Sequence, residues 1–217
     1  MNLRKSISGW RLYVIADEEL SGGRLHVKIA EAAVAGGADV IQLRDKKASS
    51  RNLYEASLQI RKLTREAGVQ FIVNDRLDIA IAANADGLHV GQDDLPTKVA
   101  REFLGSNRIL GVSARTVEEA IQAEKDGADY LGAGPVFEAR GTKADAGDPK
   151  GLQLIKNIHD KCGLPIVAIG GINHENVSGV IEAGAQCAAV ISAVVSAPNI
   201  ADATRSLKSK IGGIVSR

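Results

Sequence analysis

The chain has 217 residues, 45% of them hydrophobic, with 23 Gly and 5 Pro, which excludes a disordered or fibrous polymer and suits one packed domain. Lys plus Arg number 27 against 26 Asp plus Glu, a net charge of +1, and aromatic residues make up 3%. So even a balance, with so few stacking rings, argues against a nucleic-acid partner.

The amino terminus, Met-Asn-Leu-Arg-Lys-Ser-Ile-Ser-Gly-Trp, has no apolar signal core. No later run reaches the ~18 apolar residues of a membrane span, so the expectation is a cytoplasmic protein with no membrane partner. Cys162 and Cys187 sit in or beside apolar segments without metal-ligand spacing and are read as reduced, buried thiols.

The first strand is expected at Leu12-Tyr13-Val14-Ile15, the second at Val40-Ile41, followed at once by Gln-Leu-Arg-Asp-Lys over residues 42–46. Arg44 and Lys46 lie two apart, so an extended backbone points both toward one anion; a solvated surface pair is the other reading. A helix with an apolar stripe follows over residues 53–66. The third strand, Phe71-Ile72-Val73, ends in Asn74-Asp75, and the fourth, Gly87-Leu88-His89-Val90, leads to Gln92-Asp93-Asp94. The fifth is Ile109-Leu110-Gly111-Val112, then a helix over residues 116–125, then the sixth strand Tyr130-Leu131-Gly132. Residues 138–151 form the longest irregular segment, rich in Gly, Ala, Lys and Asp; with Gly141-Thr142-Lys143 inside it, it is expected to be a mobile lid, or else an ordinary solvated connection. The seventh strand, Ile166-Val167-Ala168-Ile169, meets Gly170-Gly171, and the eighth, Ala188-Ala189-Val190-Ile191, meets Ser192.

A repeated signature punctuates this order: Gly37-Ala38-Asp39, Asn84-Ala85-Asp86, Gly127-Ala128-Asp129 and Gly184-Ala185-Gln186. The starts are farther apart than the ~30 residues of one βαβ unit, so each interval holds a further strand. Eight short apolar strands alternating with amphipathic segments predict a closed (β/α)8 TIM barrel, one domain over residues 1–217. The competing doubly wound open sheet needs a nucleotide fingerprint near the first strand, and residues 17–23 do not match one.

In such a barrel the loops after the strands converge on one ligand. Arg44, Lys46 and Lys143 supply cationic donors, and Asp75 with Asp94 is a pair fit for Mg²⁺ beside substrate phosphates. Taken singly, each Asp is more often a helix N-cap, and Asp93 competes with Asp94 for either role. Gly170-Gly171 and Ser192 occupy the usual place of a barrel phosphate site, while a tight turn alone would explain the glycines.

The ordered set Gln-Leu-Arg-Asp-Lys, Val-Asn-Asp, His-Val-Gly-Gln-Asp-Asp, Gly-Val-Ser, Gly-Pro-Val-Phe, Thr-Lys and Ile-Gly-Gly-Ile resembles the thiamine-phosphate synthases almost end to end. The resemblance implies a barrel that joins hydroxymethylpyrimidine diphosphate to a thiazole phosphate, releasing diphosphate. It implies Asp75 and Asp94 as Mg²⁺ ligands, Arg44, Lys46, Asn74 and Lys143 on the diphosphate, and Gln42 and Ser113 facing the pyrimidine. Thr142, Gly171, Ile191 and Ser192 are similar to positions that hold the thiazole phosphate. His89 either lines this cavity or is a buried structural histidine. The sixth loop departs from the family pattern Phe-Pro-Thr-x-Thr-Lys: residues 137–143 read Phe-Glu-Ala-Arg-Gly-Thr-Lys, one residue longer, without the proline and first threonine, and Arg140 is expected to compensate. Two other readings stay open at this point, a thiazole tautomerase of the same fold and a non-catalytic barrel that binds thiamine intermediates, as does a homo-oligomer.

Overall fold

The structure is a computed structural model that describes residues 7–138 and 148–215. Eight parallel strands, β1 Leu12–Ala16, β2 Val40–Leu43, β3 Gln70–Asn74, β4 Gly87–Val90, β5 Ile109–Ala114, β6 Tyr130–Ala133, β7 Ile166–Ala168 and β8 Cys187–Val190, close in chain order into a barrel. Val14 of β1 pairs with Val190 of β8, which removes the open-sheet alternative. The strands are apolar on both faces because both are covered, by helices outside and by the packed barrel interior within.

The surrounding helices include α1 His26–Ala35, α2 Ser50–Ala67, α3 Leu77–Ala82, α4 Thr97–Leu104, α5 Val117–Lys125, α6 Gly151–Lys161, α7 Val177–Glu182, α8 Ser192–Val195 and α9 Ile200–Val215. Helix α2 starts three residues before the expected stripe because the Ser49 hydroxyl accepts from the Asn52 N–H, and it stops at Gly68 with φ 69°, a left-handed C-cap. Thr116 caps α5 in the same way, accepting from the Glu119 N–H at 3.1 Å.

The four-fold signature has a mechanical explanation at the amino ends of the strands. Gly37, Asn84, Gly127 and Gly184 all take positive φ (93°, 51°, 94° and 105°), the reversal that turns each helix back into the sheet. The aspartates that follow then staple neighbouring strands. Asp39 Oδ2 accepts from the Arg11 and Leu12 N–H groups at 2.8 and 2.9 Å. Asp86 Oδ2 accepts from Phe71 N–H at 2.9 Å and Arg61 Nη1 at 2.7 Å. Asp129 Oδ2 accepts from Leu110 N–H at 2.8 Å and Arg101 Nη2 at 2.5 Å. Because these staples lie at the end of the barrel opposite the strand-end loops, Asp86→Ala is expected to destabilise by about 1–3 kcal/mol in chemical denaturation while leaving kcat unchanged at 25 °C.

Period-two alternation sends Tyr13, Ile15, Val40, Ile72, Ile109, Tyr130, Val167, Cys187 and Ala189 into the barrel, where Ile7 and Trp10 join them. Two glycines hollow out room for rings inside. A Cβ on Gly111 would lie 2.1 Å from Tyr130 Cζ, and one on Gly132 would lie 2.8 Å from His89 Cε1. Cys162 and Cys187 are buried free thiols, as expected, and burial pushes both thiol pKa values up. No helix among the described residues is long and apolar enough to cross a membrane.

Candidate active site

A cavity of about 930 Å³ opens at the carboxyl ends of the strands. It gathers Gln42, Arg44, Lys46, Asn74, Asp75, Asp94, Ser113, Gly171, Ile191 and Ser192 onto one wall or another, although these residues span 150 positions of sequence from 42 to 192. Thr142, Lys143 and Arg140, and most of the expected lid, lie outside the described residues.

The two cations that follow β2 do not form one simple pair. Arg44 is tied to the loop after β1: its Nη1 donates to Asp17 Oδ2 at 2.6 Å, with side-chain exposures of 13% and 7%. Its Nε is buried and has no hydrogen-bond partner among the described residues; the ion pair and the burial hold the guanidinium as a fixed fork rather than a loose surface charge. Lys46 reaches the other way, its Nζ 3.8 Å from Asp75 Oδ2 across the mouth of β3. Asp17 was considered in the sequence only for the nucleotide fingerprint it fails to make; its partner 27 residues away reveals its use.

Neither aspartate of the expected metal pair caps a helix. The N-cap residues of α3 and α4 are Arg76 and Pro96, each without a side-chain cap. Asp75 instead holds φ 59°, a strained conformation for a side chain with Cβ and one that concentrates at functional sites. Its N–H donates to the His89 carbonyl at 2.8 Å. Asp94 Oδ2 accepts from the Gly91 N–H at 2.8 Å, which folds the β4 loop so that the carboxylate borders the cavity. With Asn74, Gln92 and Asp93 also lining it, this side offers carboxylate and amide oxygens, the ligand type a hard divalent cation takes. A second group, Glu18, His26 and Asp45, has donor atoms within 4.8 Å of one another; His26 Nδ1 lies 3.0 Å from Glu18 Oε1 and Nε2 lies 3.7 Å from Asp45 Oδ2. Sequence reasoning missed it, since His26 is the first residue of α1 and nothing local marks it.

Gly170 and Gly171 make a tight turn and border the cavity at once. Their φ values are 104° and 61°, and a Cβ on Gly171 would meet the Glu138 carbonyl oxygen at 2.5 Å. Ser192 opens α8 beside them.

The cavity floor carries a polar chain that the sequence did not announce. Gln42 Nε2 donates to Tyr13 Oη at 2.8 Å; Tyr13 Oη lies 3.0 Å from Tyr130 Oη, Tyr130 Oη 2.9 Å from His89 Nδ1, and His89 Nε2 3.0 Å from Ser113 Oγ. Of the two readings offered for it, His89 takes the first: it is half-buried and lines the cavity. Tyr13 and Tyr130 read as apolar strand residues; their polar tips at inward positions were the available signal. Burial pushes both phenol pKa values well up, so both hydroxyls keep their protons.

Comparison with known proteins gives a consistent result. The model of the thiamine monophosphate synthase family matches residues 12–194. The thiamine-phosphate synthase of Chloroflexus aurantiacus is 53% identical over 205 residues, covering 94% of both chains. That of Moorella thermoacetica is 55% identical over 199 residues, covering 92% of this chain and 94% of the relative. Among solved structures, a thiamine phosphate pyrophosphorylase from Pyrococcus furiosus superimposes with a TM-score of 0.89 at 42% identity, covering 99% of this chain and 100% of the other. An orotidine 5′-phosphate decarboxylase from Pyrococcus horikoshii, at 18% identity and a TM-score of 0.66 over 93% of this chain and 99% of that one, shares the barrel alone.

Proposed function

The chain belongs to the thiamine monophosphate synthase family, and we propose that its cavity is where hydroxymethylpyrimidine diphosphate and thiazole phosphate meet to form thiamine phosphate, a transferase reaction that releases diphosphate. The observation that carries this reading is the convergence on one cavity of every described residue expected to touch either substrate. The tautomerase and non-catalytic alternatives have no support among the relatives, which carry the synthase name at 46–55% identity.

In the reaction the bond from the pyrimidine methylene to the diphosphate oxygen breaks first. The electron-rich aminopyrimidine carries the developing positive charge, and the thiazole nitrogen closes the new C–N bond with its own lone pair. No general base is needed, because the nucleophile has no proton to lose and the leaving group departs as an anion. The protein's contribution is positioning and charge. Arg44 keeps Nη1 on Asp17 and turns its remaining donors to the diphosphate, with Lys46, Asn74 and Lys143 around it. Gln42 and Ser113 face the pyrimidine. Gly171, Ile191 and Ser192, joined by Thr142, hold the thiazole phosphate, and Arg140 replaces the missing loop threonine. Asp75 and Asp94 would hold Mg²⁺, which when bound supplies neutralising charge for the diphosphate. Small soluble substrates and the lack of a membrane-crossing helix among the described residues are in keeping with a cytoplasmic enzyme.

The test is product formation from both substrates with Mg²⁺ and then with EDTA. Thiamine phosphate and diphosphate are expected in equal amounts with the metal, and neither with the chelator. Binding of substrate without either product would overturn the assignment.

A further inference from the structure

We propose that Tyr13 and Tyr130 are positioning residues, whose hydroxyls form a one-way hydrogen-bond chain that sets which atoms of Gln42 and Ser113 are offered to the substrate. The proposal rests on the reading above that the pyrimidine sits on this floor.

Proton counting carries it. Four contacts of 2.8 to 3.0 Å join five groups, Gln42, Tyr13, Tyr130, His89 and Ser113. Each phenol has one proton to give and burial prevents its loss. The Gln42 amide nitrogen donates to Tyr13 Oη, so Tyr13 gives its proton to Tyr130, and Tyr130 gives its own to His89 Nδ1. That nitrogen must then be bare, and the neutral ring carries its proton on Nε2. From there it donates to Ser113 Oγ, whose own proton turns outward. The ends of the chain thus present unlike atoms to the cavity, the carbonyl oxygen of Gln42 as acceptor and the hydroxyl of Ser113 as donor. An aminopyrimidine matches both, with N–H donors on its exocyclic amine and bare ring nitrogens as acceptors. Reversing any one link reverses all of them, because a two-coordinate hydroxyl accepts on one side and donates on the other; a pyrimidine that carries a carbonyl in place of the amine meets the wrong polarity at Gln42.

The packing holds the rings to these contacts. Gly111 and Gly132 leave the space that Tyr130 and His89 fill, and Trp10 packs edge-on against Tyr130 at a centroid distance of 5.3 Å. Both glycines lie on β5 and β6, the strands that also bear Ser113 and Tyr130.

The experiment reads the His89 ring directly. Ligand-free protein labelled with ¹⁵N-histidine is examined by long-range proton–nitrogen correlation at a pH where the imidazoles are neutral, with His89→Gln identifying the resonance among the four histidines. The Nε2–H tautomer is expected in the wild type, and a mixture of tautomers in Tyr13→Phe. In kinetics, Tyr13→Phe is expected to raise KM for the pyrimidine diphosphate about tenfold, with KM for thiazole phosphate unchanged. An Nδ1–H signal in the wild type overturns the proposal without any variant having to fold. So does a Tyr13→Phe protein with an unaltered tautomer, and so does one whose pyrimidine KM is unaltered. Failure of the wild type to make product would instead strike the synthase reading, and would leave the tautomer result standing.

Discussion

Arg44→Ala is expected to lose activity and stability together, and the two losses are separable. The substitution strips Asp17, only 7% exposed, of the guanidinium 2.6 Å away. Leaving one buried charge without its partner costs about 3–5 kcal/mol, seen as a lower denaturation midpoint. The same change removes a fixed donor fork from the diphosphate, and kcat/KM is expected to fall about 10²–10³-fold, the scale of losing one preorganised charge donor. The double variant Asp17→Asn, Arg44→Ala should recover most of the stability, since no uncompensated charge remains, and none of the activity. Arg44→Lys is expected to behave much like the alanine variant in kinetics, because a single ammonium cannot serve Asp17 and the diphosphate at once. Full activity in a folded Arg44→Ala protein would remove the residue from the site.

Asp75→Asn and Asp94→Asn are expected to cut kcat about 10²–10³-fold and to shift the Mg²⁺ dependence to higher concentration, with melting behaviour nearly unchanged. The backbone at Asp75, φ 59°, is one that asparagine also adopts readily, and an asparagine oxygen at position 94 still accepts from the Gly91 N–H that Asp94 now binds. The folded state is therefore spared while the negative charge is lost. A Mg²⁺ titration of diphosphate release on each variant is the check; a curve superimposable on the wild type would show that the pair holds no metal. Asp75→Asn also relieves Lys46 of the carboxylate 3.8 Å from its Nζ, so a Lys46→Ala control separates a metal effect from a freed cation.

Much of the site was legible because it is written in short signatures directly after apolar strands. Gln42 near the end of β2, with Arg44 and Lys46 just after it, and Asn74 at the end of β3, with Asp75 just after it, are placed by position alone, and a closed barrel brings such residues to one end. The helix-cap reading of Asp75 and Asp94 failed for a local reason: α3 and α4 begin without any side-chain cap. The repeated Gly-Ala-Asp was visible as a rhythm, but its aspartates turned out to staple strands at the opposite end of the barrel.

What the chain determined by itself is its element order and closure. Eight apolar runs, each too short for a helix and each broken by Gly, Asn or a charged cluster, leave a parallel barrel as the arrangement that covers both faces of every strand. The family, too, was legible, since its motifs are contiguous. Only the tertiary structure decided the partners. Arg44 finds Asp17 across 27 residues, and Tyr13 finds Tyr130 across 117. Local propensity and periodicity act over a turn or a pleat, so they place a side chain on a face of its own element. Which distant atom it meets there is set by barrel closure and strand register, and in this protein those contacts orient the polar groups of the cavity.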